Sequence, residues 1–506
     1  MRLLARWFAL LPAAQLREQP LLQAMRLWAV AYSQGAAEAT ELMSATGLDA
    51  AQMPEVQAYV LPLRPLLPAM LDDIESAHRV GQQCVAQLPT ASPFADALLL
   101  STVASIQANV GDFVGARRYL ESARCVRGAP AGGFALMFSE AVEGLIALHE
   151  GRLREARARF KIALGGSQRA VRGGTNQNAW AGVLLAGTLY EANELDAAEH
   201  LLRAYEPVVR GLGLADLMIL NALPLARIAF QRGDVDTALQ TLTDLEYTGR
   251  QRQLMRVVAA AKLERSRILL LQGHAAAAAD ELERAGDKAL WDRVAGLRLA
   301  ANEVETLTLA RYRWDVMAGD AERCLLPLER AAKQATAAAR HLRAMKLRML
   351  HAVALARCGR QQASQAVAGP LLEQAGAEGF LRCLVDEGAP VAAVVRARMP
   401  ALLRGDAPCN DPAHVEYLRR LLDAFGAAAA DSPGTAAPGA VLAEPLTRKE
   451  IGVLLLVADG YSDTAMAEKL FVSITTVRSH LRNIYAKLAV HNRTQAVAAS
   501  RRAGVI

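Results

Sequence analysis

The sequence predicts an all-α protein built as an α-solenoid over residues 1–425, a tether over 426–445 and a compact four-helix unit over 446–506. Three observations carry this reading. Hydrophobic residues make up 53% of the 506 residues and aromatics only 5%, with alanine and leucine dominant, which favours helix. One short phrase recurs at a nearly fixed interval along the first part. The last part shows helix caps, helix stops and apolar stripes in close succession.

The recurring phrase is a Gly or its equivalent, a short polar step, and an Ala-rich amphipathic run. It reads GAAEATELM at Gly35, GDFVGARRYL at Gly111, GRLREARARF at Gly151 and NELDAAEHLL at Asn193. It returns as GDVDTALQTL at Gly233, GHAAAAADEL at Gly273, GDAERCLLPL at Gly319 and GRQQASQAVA at Gly359. From Gly111 onward the intervals are 40, 42, 40, 40, 46 and 40 residues, and a degenerate copy near Asp72 fits the wider gap before Gly111. A period of about forty residues holding two helices and a tight turn indicates an α-solenoid of the tetratricopeptide kind. One helix pair cannot bury its own apolar face, so stacked pairs share a core. The Gly supplies the sharp turn, and the Ala four or five positions later lets the helices approach.

Residues 426–445 read GAAAADSPGTAAPGAVLAEP, an Ala, Gly and Pro stretch expected to act as a flexible or semi-extended tether. In the final unit, Thr447 and Glu450 form a capping box for a first helix carrying Val453, Leu454, Leu456 and Val457. Asp459-Gly460 stops it. Ser462 caps a short second helix with Ala465, Met466 and Leu470 inward. Ser473 caps a third, expected to run to Leu488, with Val477, Leu481, Ile484, Tyr485 and Leu488 on its apolar side. Thr476, Arg478, Ser479, Arg482 and Lys487 fall on the polar side. Thr494 is the cap expected for a short, alanine-rich fourth helix.

Two short helices joined by a tight turn, the second long and studded with Arg and Thr, form a helix-turn-helix arrangement. Arg makes two parallel hydrogen bonds to a guanine edge, and Lys, Thr, Ser and His suit phosphates or bases. By spacing alone, a small helical bundle with a solvated basic face explains the stretch equally well. Charge adds weight. Residues 446–506 hold nine Lys or Arg against four Asp or Glu, a net of +5 out of +6 for the chain, so the first 445 residues carry about +1.

The stretch resembles the LuxR-type DNA-binding domain throughout. The residues that carry the resemblance are Leu446-Thr447, Glu450, Val453-Leu454, Gly460-Tyr461-Ser462, Ala467, Leu470, Ser473, Thr476-Val477, His480, Ile484, Lys487-Leu488, Arg493 and Ala496-Val497. The resemblance implies duplex DNA as partner, with Thr475, Thr476, Arg478, Ser479, His480, Arg482, Lys487 and Arg493 at the interface. Within that set Arg478, Ser479 and Arg482 are expected at base edges, and Thr476 and Lys487 at phosphates. It also implies weak pairing with a second copy through the last helix, at Thr494, Ala496, Val497 and Ala499, and RNA polymerase as a further partner. Gly452, Asp463 and Arg478 stand where the family usually has Glu, Asn and Lys. Gly452 weakens the first helix, and Arg478 changes the donor geometry and hence the base read.

The repeat part resembles the helical-repeat domain of MalT-like regulators, the large ATP-dependent LuxR relatives. The opening carries this, Leu4-Ala5-Arg6-Trp7 through Leu10-Leu11-Pro12 and Pro20-Leu21-Leu22, as does Gly379-Phe380-Leu381-Arg382 with Val385-Asp386-Glu387-Gly388 and the helix at Tyr417–Phe425. Those regulators carry a nucleotide-binding domain ahead of the repeats. Here the chain starts where the repeats start, so it is expected to be either a short form or a piece of a longer protein. No Gly-Lys pair occurs, so there is no GxxxxGK[ST] loop and no ATP cofactor is expected.

Enzyme chemistry finds little support. His149-Glu150 lacks the second His of a zinc-protease helix, no G-x-S-x-G elbow occurs, and Asp72-Asp73 reads as a solvated helix face. His480 needs no role beyond a phosphate contact or a structural hydrogen bond. Cys84, Cys125, Cys324, Cys358, Cys383 and Cys409 are scattered without a CxxC pair, which suits inert thiols and argues against disulfides or a metal site. No apolar run is long enough to span a bilayer, and Arg6 interrupts the N-terminal apolar stretch without a cleavage site following, so a cytoplasmic protein is expected. The expectation is a transcription regulator whose repeats bind an effector or partner and control self-association. Asn176, Gln177, Asn178 and Tyr190 are candidate groove residues. An interaction scaffold localised by its helix-turn-helix is the alternative.

Overall fold

The structure is a computed structural model of the 506-residue chain. It describes all residues except 1, 12–15, 17, 51–52, 127–132, 171–178, 404–410, 431–445, 489, 491–492 and 503–506. The described residues form helices joined by turns, with no strand among them.

Seven regular helix pairs make up most of the solenoid. They are Pro93–Val110 with Phe113–Arg124, Gly133–His149 with Leu153–Ala170, Ala179–Glu191 with Leu195–Leu212, and Ala215–Gln231 with Val235–Gln251. Then follow Met255–Leu271 with Ala275–Arg284, Leu307–Met317 with Ala321–Ala337, and His341–Arg357 with Gln361–Glu378. Leu63–Met70 with Ile74–Val85 is the degenerate copy, and Asp72 between them takes the left-handed conformation (φ 66°) that Gly takes elsewhere.

The recurring phrase has a clear physical basis. Gly111, Gly151, Asn193, Gly233, Gly273 and Gly359 all have positive φ, between 64° and 91°, and each closes the turn inside a pair. The following Asp caps the second helix where it is present: Asp112 accepts from Gly115 N at 2.8 Å and Asp234 from Thr237 N at 3.0 Å. Five residues after each mark a small side chain is wholly enclosed, as Ala77, Ala116, Ala156, Ala198, Ala238, Ala278 and Ser364 show. A larger residue there would force the paired helices apart.

Gly319 departs from the pattern, since it is not among the positive-φ glycines. A Cβ on it would lie 3.0 Å from the Asp315 Cα, so close packing on the preceding helix is what demands glycine there. The 46-residue interval before it is also explained. Two short helices, Lys288–Val294 and Ala300–Val304, are inserted between the Gly273 and Gly319 pairs.

Charged residues cross-link the stack from within, which the sequence reading did not anticipate. Asp72 is buried, and its carboxylate holds both Arg256 Nε (2.8 Å) and Nη2 (2.6 Å), while Asp73 caps the next helix through Ser76 N. The expected solvated carboxylate pair is thus a structural anchor. Tyr190 is equally buried: its hydroxyl donates to Asp386 at 2.7 Å, so it does not line an open groove. Asn176, Gln177 and Asn178 lie outside the described residues. Asp386 also receives Arg227 (3.1 Å) and pairs with Arg382, and Glu387 receives Arg313 (2.7 Å). Leu381 N and Cys383 N donate to Glu191 at 2.8 and 2.9 Å. The Gly379–Gly388 phrase therefore ties the end of the repeats to helices more than a hundred residues earlier.

The last solenoid helix runs Pro412–Ala430, past the expected boundary at 425, and the rest of the expected tether lies outside the described residues. Cys84, Cys324 and Cys383 are buried free thiols, Cys358 is half-buried, and Cys125 is exposed; Cys409 lies outside the described residues. No described helix is long and apolar enough to cross a membrane.

Candidate nucleic-acid interface

The C-terminal unit is built from helices Arg448–Ala458, Asp463–Leu470, Ile474–Leu488 and Arg493–Arg502. Thr447 caps the first helix and Glu450 returns the bond, completing the capping box. Gly460 follows in a left-handed turn (φ 82°), and Ser462 caps the second helix through Ala465 N. Ser473 caps the third through Thr476 N at 3.0 Å. The fourth helix begins at Arg493, so Thr494 sits in its first turn instead of capping it.

Val453, Leu454, Val457, Met466, Val477, Leu481, Ile484, Leu488 and Ala496 form one enclosed cluster. That cluster fixes the roll of the third helix. With Val477, Leu481, Ile484 and Leu488 inward, the helical period turns Thr475, Arg478, Ser479 and Arg482 outward, and all four are exposed. Thr476 and His480 are half-buried, and the Thr476 hydroxyl shares a 2.8 Å hydrogen bond with Ser473. Leu470, expected inward, is 37% exposed, and Phe471 after it is left-handed (φ 54°) and 95% exposed. The tight turn between the second and third helices carries both to the surface.

Three of the basic residues have partners the sequence did not point to. Arg478 donates from Nε to Asp463 at 3.2 Å and from Nη2 to Gln240 of the solenoid at 3.1 Å. Lys487 holds Glu450 at 3.1 Å. Burial raises the Glu450 carboxyl, but hydrogen bonds from Thr447 and Lys487 outweigh it and hold the group below its usual range. Arg493 bonds the Tyr461 carbonyl at 2.9 Å, pairs closely with Asp463, and reaches Asp236 of the solenoid at 3.5 Å. Asp463 therefore organises two of the site arginines.

Of the residues expected to pair two copies, Ala496 is fully buried in the unit's own core. It is unavailable for pairing, because the fourth helix needs that face to close the cluster. Val497 and Ala499 are half-buried, and the Thr494 side chain lies outside the described set.

Comparison with known proteins accords with this geometry. Residues 58–398 match the model of the MalT-like TPR region, and residues 444–500 match the model of bacterial regulatory proteins of the luxR family. Neither family is enzymatic in description. Response regulator protein VraR of Staphylococcus aureus (strain Mu3 / ATCC 700698) is 48% identical over 58 residues, 12% of this chain and 28% of that protein. VraR of Staphylococcus epidermidis (strain ATCC 35984 / DSM 28319 / BCRC 17069 / CCUG 31568 / BM 3577 / RP62A) matches to the same extent. This chain thus covers about a quarter of the length of those relatives. A solved structure of a Rap protein complexed with competence and sporulation factor aligns with a TM-score of 0.42 at 11% identity, covering 82% of this chain and 99% of that one. With two thirds of its length in the matched repeats, the chain belongs to the MalT-like TPR family and carries a C-terminal domain of the luxR family.

Proposed function

We propose that this chain is a transcription regulator whose C-terminal unit binds duplex promoter DNA and whose repeats receive the controlling signal. The observation that carries the reading is the outward face of the Ile474–Leu488 helix. Thr475, Arg478, Ser479 and Arg482 stand exposed on one side of a helix anchored by four buried residues on the other. Such a helix fits a major groove, with arginine forks for guanine edges and hydroxyls for phosphates. Arg478, Ser479 and Arg482 read bases; Thr476 and His480 contact phosphates; Lys487 and Arg493 add positive charge to the same side. Small apolar patches at Val497 and Ala499 pair two copies weakly off DNA and cooperatively on it, and RNA polymerase is engaged from the bound complex.

The signal acts on the repeats, through an effector or a protein partner that shifts self-association. A small, mostly apolar cavity of about 50 Å³, lined by Leu148, His149, Tyr190, Glu191, Arg227 and Glu303 among others, is the candidate site, and His149 Nε2 has no hydrogen-bond partner among the described residues. The test is a binding-site selection with the full chain on a randomised duplex pool. Enrichment of paired half-sites about one helical turn apart supports the reading. A pool that emerges unenriched, or equally enriched by the Arg482→Ala chain, would refute it.

A further inference from the structure

The DNA-binding unit lies against one face of the solenoid, and two of its DNA-interface residues, Arg478 and Arg493, take part in the contact. Arg478 Nη2 donates to Gln240 Oε1 at 3.1 Å. Arg493 donates from its backbone N to Asp236 Oδ2 at 3.3 Å and pairs through Nε at 3.5 Å. Lys469 lies 3.4 Å from Asp280, and Arg284 lies 3.1 Å from Glu468. An apolar contact sits among these polar ones: Tyr461 packs on the cluster of Leu269, Ala277 and Ala278. The backbone of Gly460 is so close that a Cβ there would meet His274 at 2.6 Å.

The solenoid side of this contact comes from the Val235–Gln251 and Ala275–Arg284 helices and the His274 turn. It presents carboxylates and an amide oxygen, the kinds of acceptor that DNA presents. Burial raises the Asp236 carboxyl, and the nearby Arg493 offsets this in part. We propose that this face is a docking site for the chain's own helix-turn-helix unit and that it competes with duplex DNA for it. The proposal rests on the DNA-binding reading above.

Geometry makes the two states exclusive. The major groove is about 12 Å wide, and a recognition helix fills it with its side chains against base edges. Gln240 occupies hydrogen-bonding reach of Arg478 that a base edge would need. Ser479 and Arg482 remain exposed, so the obstruction lies at the Arg478 end and at Arg493. The unit must leave the solenoid before Arg478 can reach a base.

The test uses the full chain and the duplex recovered from the selection. A zero-length carbodiimide joins the Asp280 carboxylate to the Lys469 amine only while they touch. Mass spectrometry should find that cross-link without DNA and lose it at saturating duplex. Asp236→Asn with Asp280→Asn should tighten duplex binding about tenfold, within the range that two such surface ion pairs supply together. Glu322→Gln with Glu416→Gln, which removes the same charge elsewhere on the solenoid, should change it less than about twofold. Arg284→Glu should loosen the dock and weaken the cross-link, and adding Glu468→Arg should restore it. A cross-link that persists at saturating duplex, or a double Asn chain that binds no tighter than the Gln control, overturns the competition. If no form of the chain binds any duplex, the DNA-binding reading itself fails, and the competition with it.

Discussion

Removing the Asp386 carboxylate tests whether the Gly379–Gly388 phrase locks the repeat stack. In Asp386→Ala, the Tyr190 hydroxyl loses its acceptor at 2.7 Å and Arg382 loses its carboxylate partner. Arg227 loses one bond at 3.1 Å but keeps Glu264 at 3.0 and 2.6 Å. Arg267 still reaches the Asp386 carbonyl, which the substitution leaves in place. Tyr190, Arg227 and Arg382 are each only 3% exposed, so water cannot replace the lost group. An unsatisfied buried hydroxyl costs about 1–3 kcal/mol. Breaking a buried ion pair by removing one partner costs about 3–5 kcal/mol, and the larger figure governs here because Arg382 is left charged. Repeat arrays open in segments, so a single unfolding midpoint is the wrong readout. Native-state hydrogen exchange on Ala179–Glu191 and Ala215–Gln231 reads the affected segment directly. Opening energies there should fall by about 3–5 kcal/mol, whereas Arg382→Met with Asp386→Leu should cost clearly less, since it leaves no unpaired charge. Opening energies within about 0.5 kcal/mol of the unmodified chain would refute the account of this network.

The same network sets an acid limit. Burial raises the Asp386, Glu264 and Glu387 carboxyls, but the surrounding arginines outweigh it and hold all three below their usual range. Folded values below the unfolded ones contribute stability that is present above about pH 4 and lost as pH falls further. Glu191, raised by burial, works in the opposite sense and partly offsets the loss in the unmodified chain, so the loss should be steeper in Glu191→Gln; circular dichroism against pH checks both signs. Thr447→Ala should destabilise the C-terminal unit by about 0.5–2 kcal/mol through loss of the capping box, measured by exchange in Arg448–Ala458, with no change in the solenoid.

How much could be read beforehand follows from sequence distance. The repeats were legible because a left-handed turn residue and a small enclosed residue must recur in every pair, and both leave marks a few positions apart. The caps at Thr447, Ser462 and Ser473 were legible for the same local reason. What stayed hidden was long-range. The Asp72–Arg256 pair spans 184 positions and Tyr190–Asp386 spans 196, and a charged residue on a helix reads as solvated until its partner is located. The site divides along the same line. The exposed face of Ile474–Leu488 followed from helical periodicity, whereas Gln240 and Asp236 carry no mark of contact with Arg478 and Arg493. Ala496 was misassigned to a pairing surface because an alanine-rich helix has too little contrast to show which side faces the core.

The central claim is that an exposed arginine helix face binds duplex DNA. Fluorescence anisotropy of the full chain on the selected duplex, titrated at several salt concentrations, tests it most directly, with Arg482→Ala as the partner measurement. Arg482 is exposed on the third helix, so its loss should leave the fold intact. The account predicts that log affinity falls linearly with log salt, and that Arg482→Ala weakens the selected duplex by about 1–3 kcal/mol while scrambled duplex changes much less. Binding that ignores salt, or an Arg482→Ala chain that holds selected and scrambled duplex as the unmodified chain does, would contradict it.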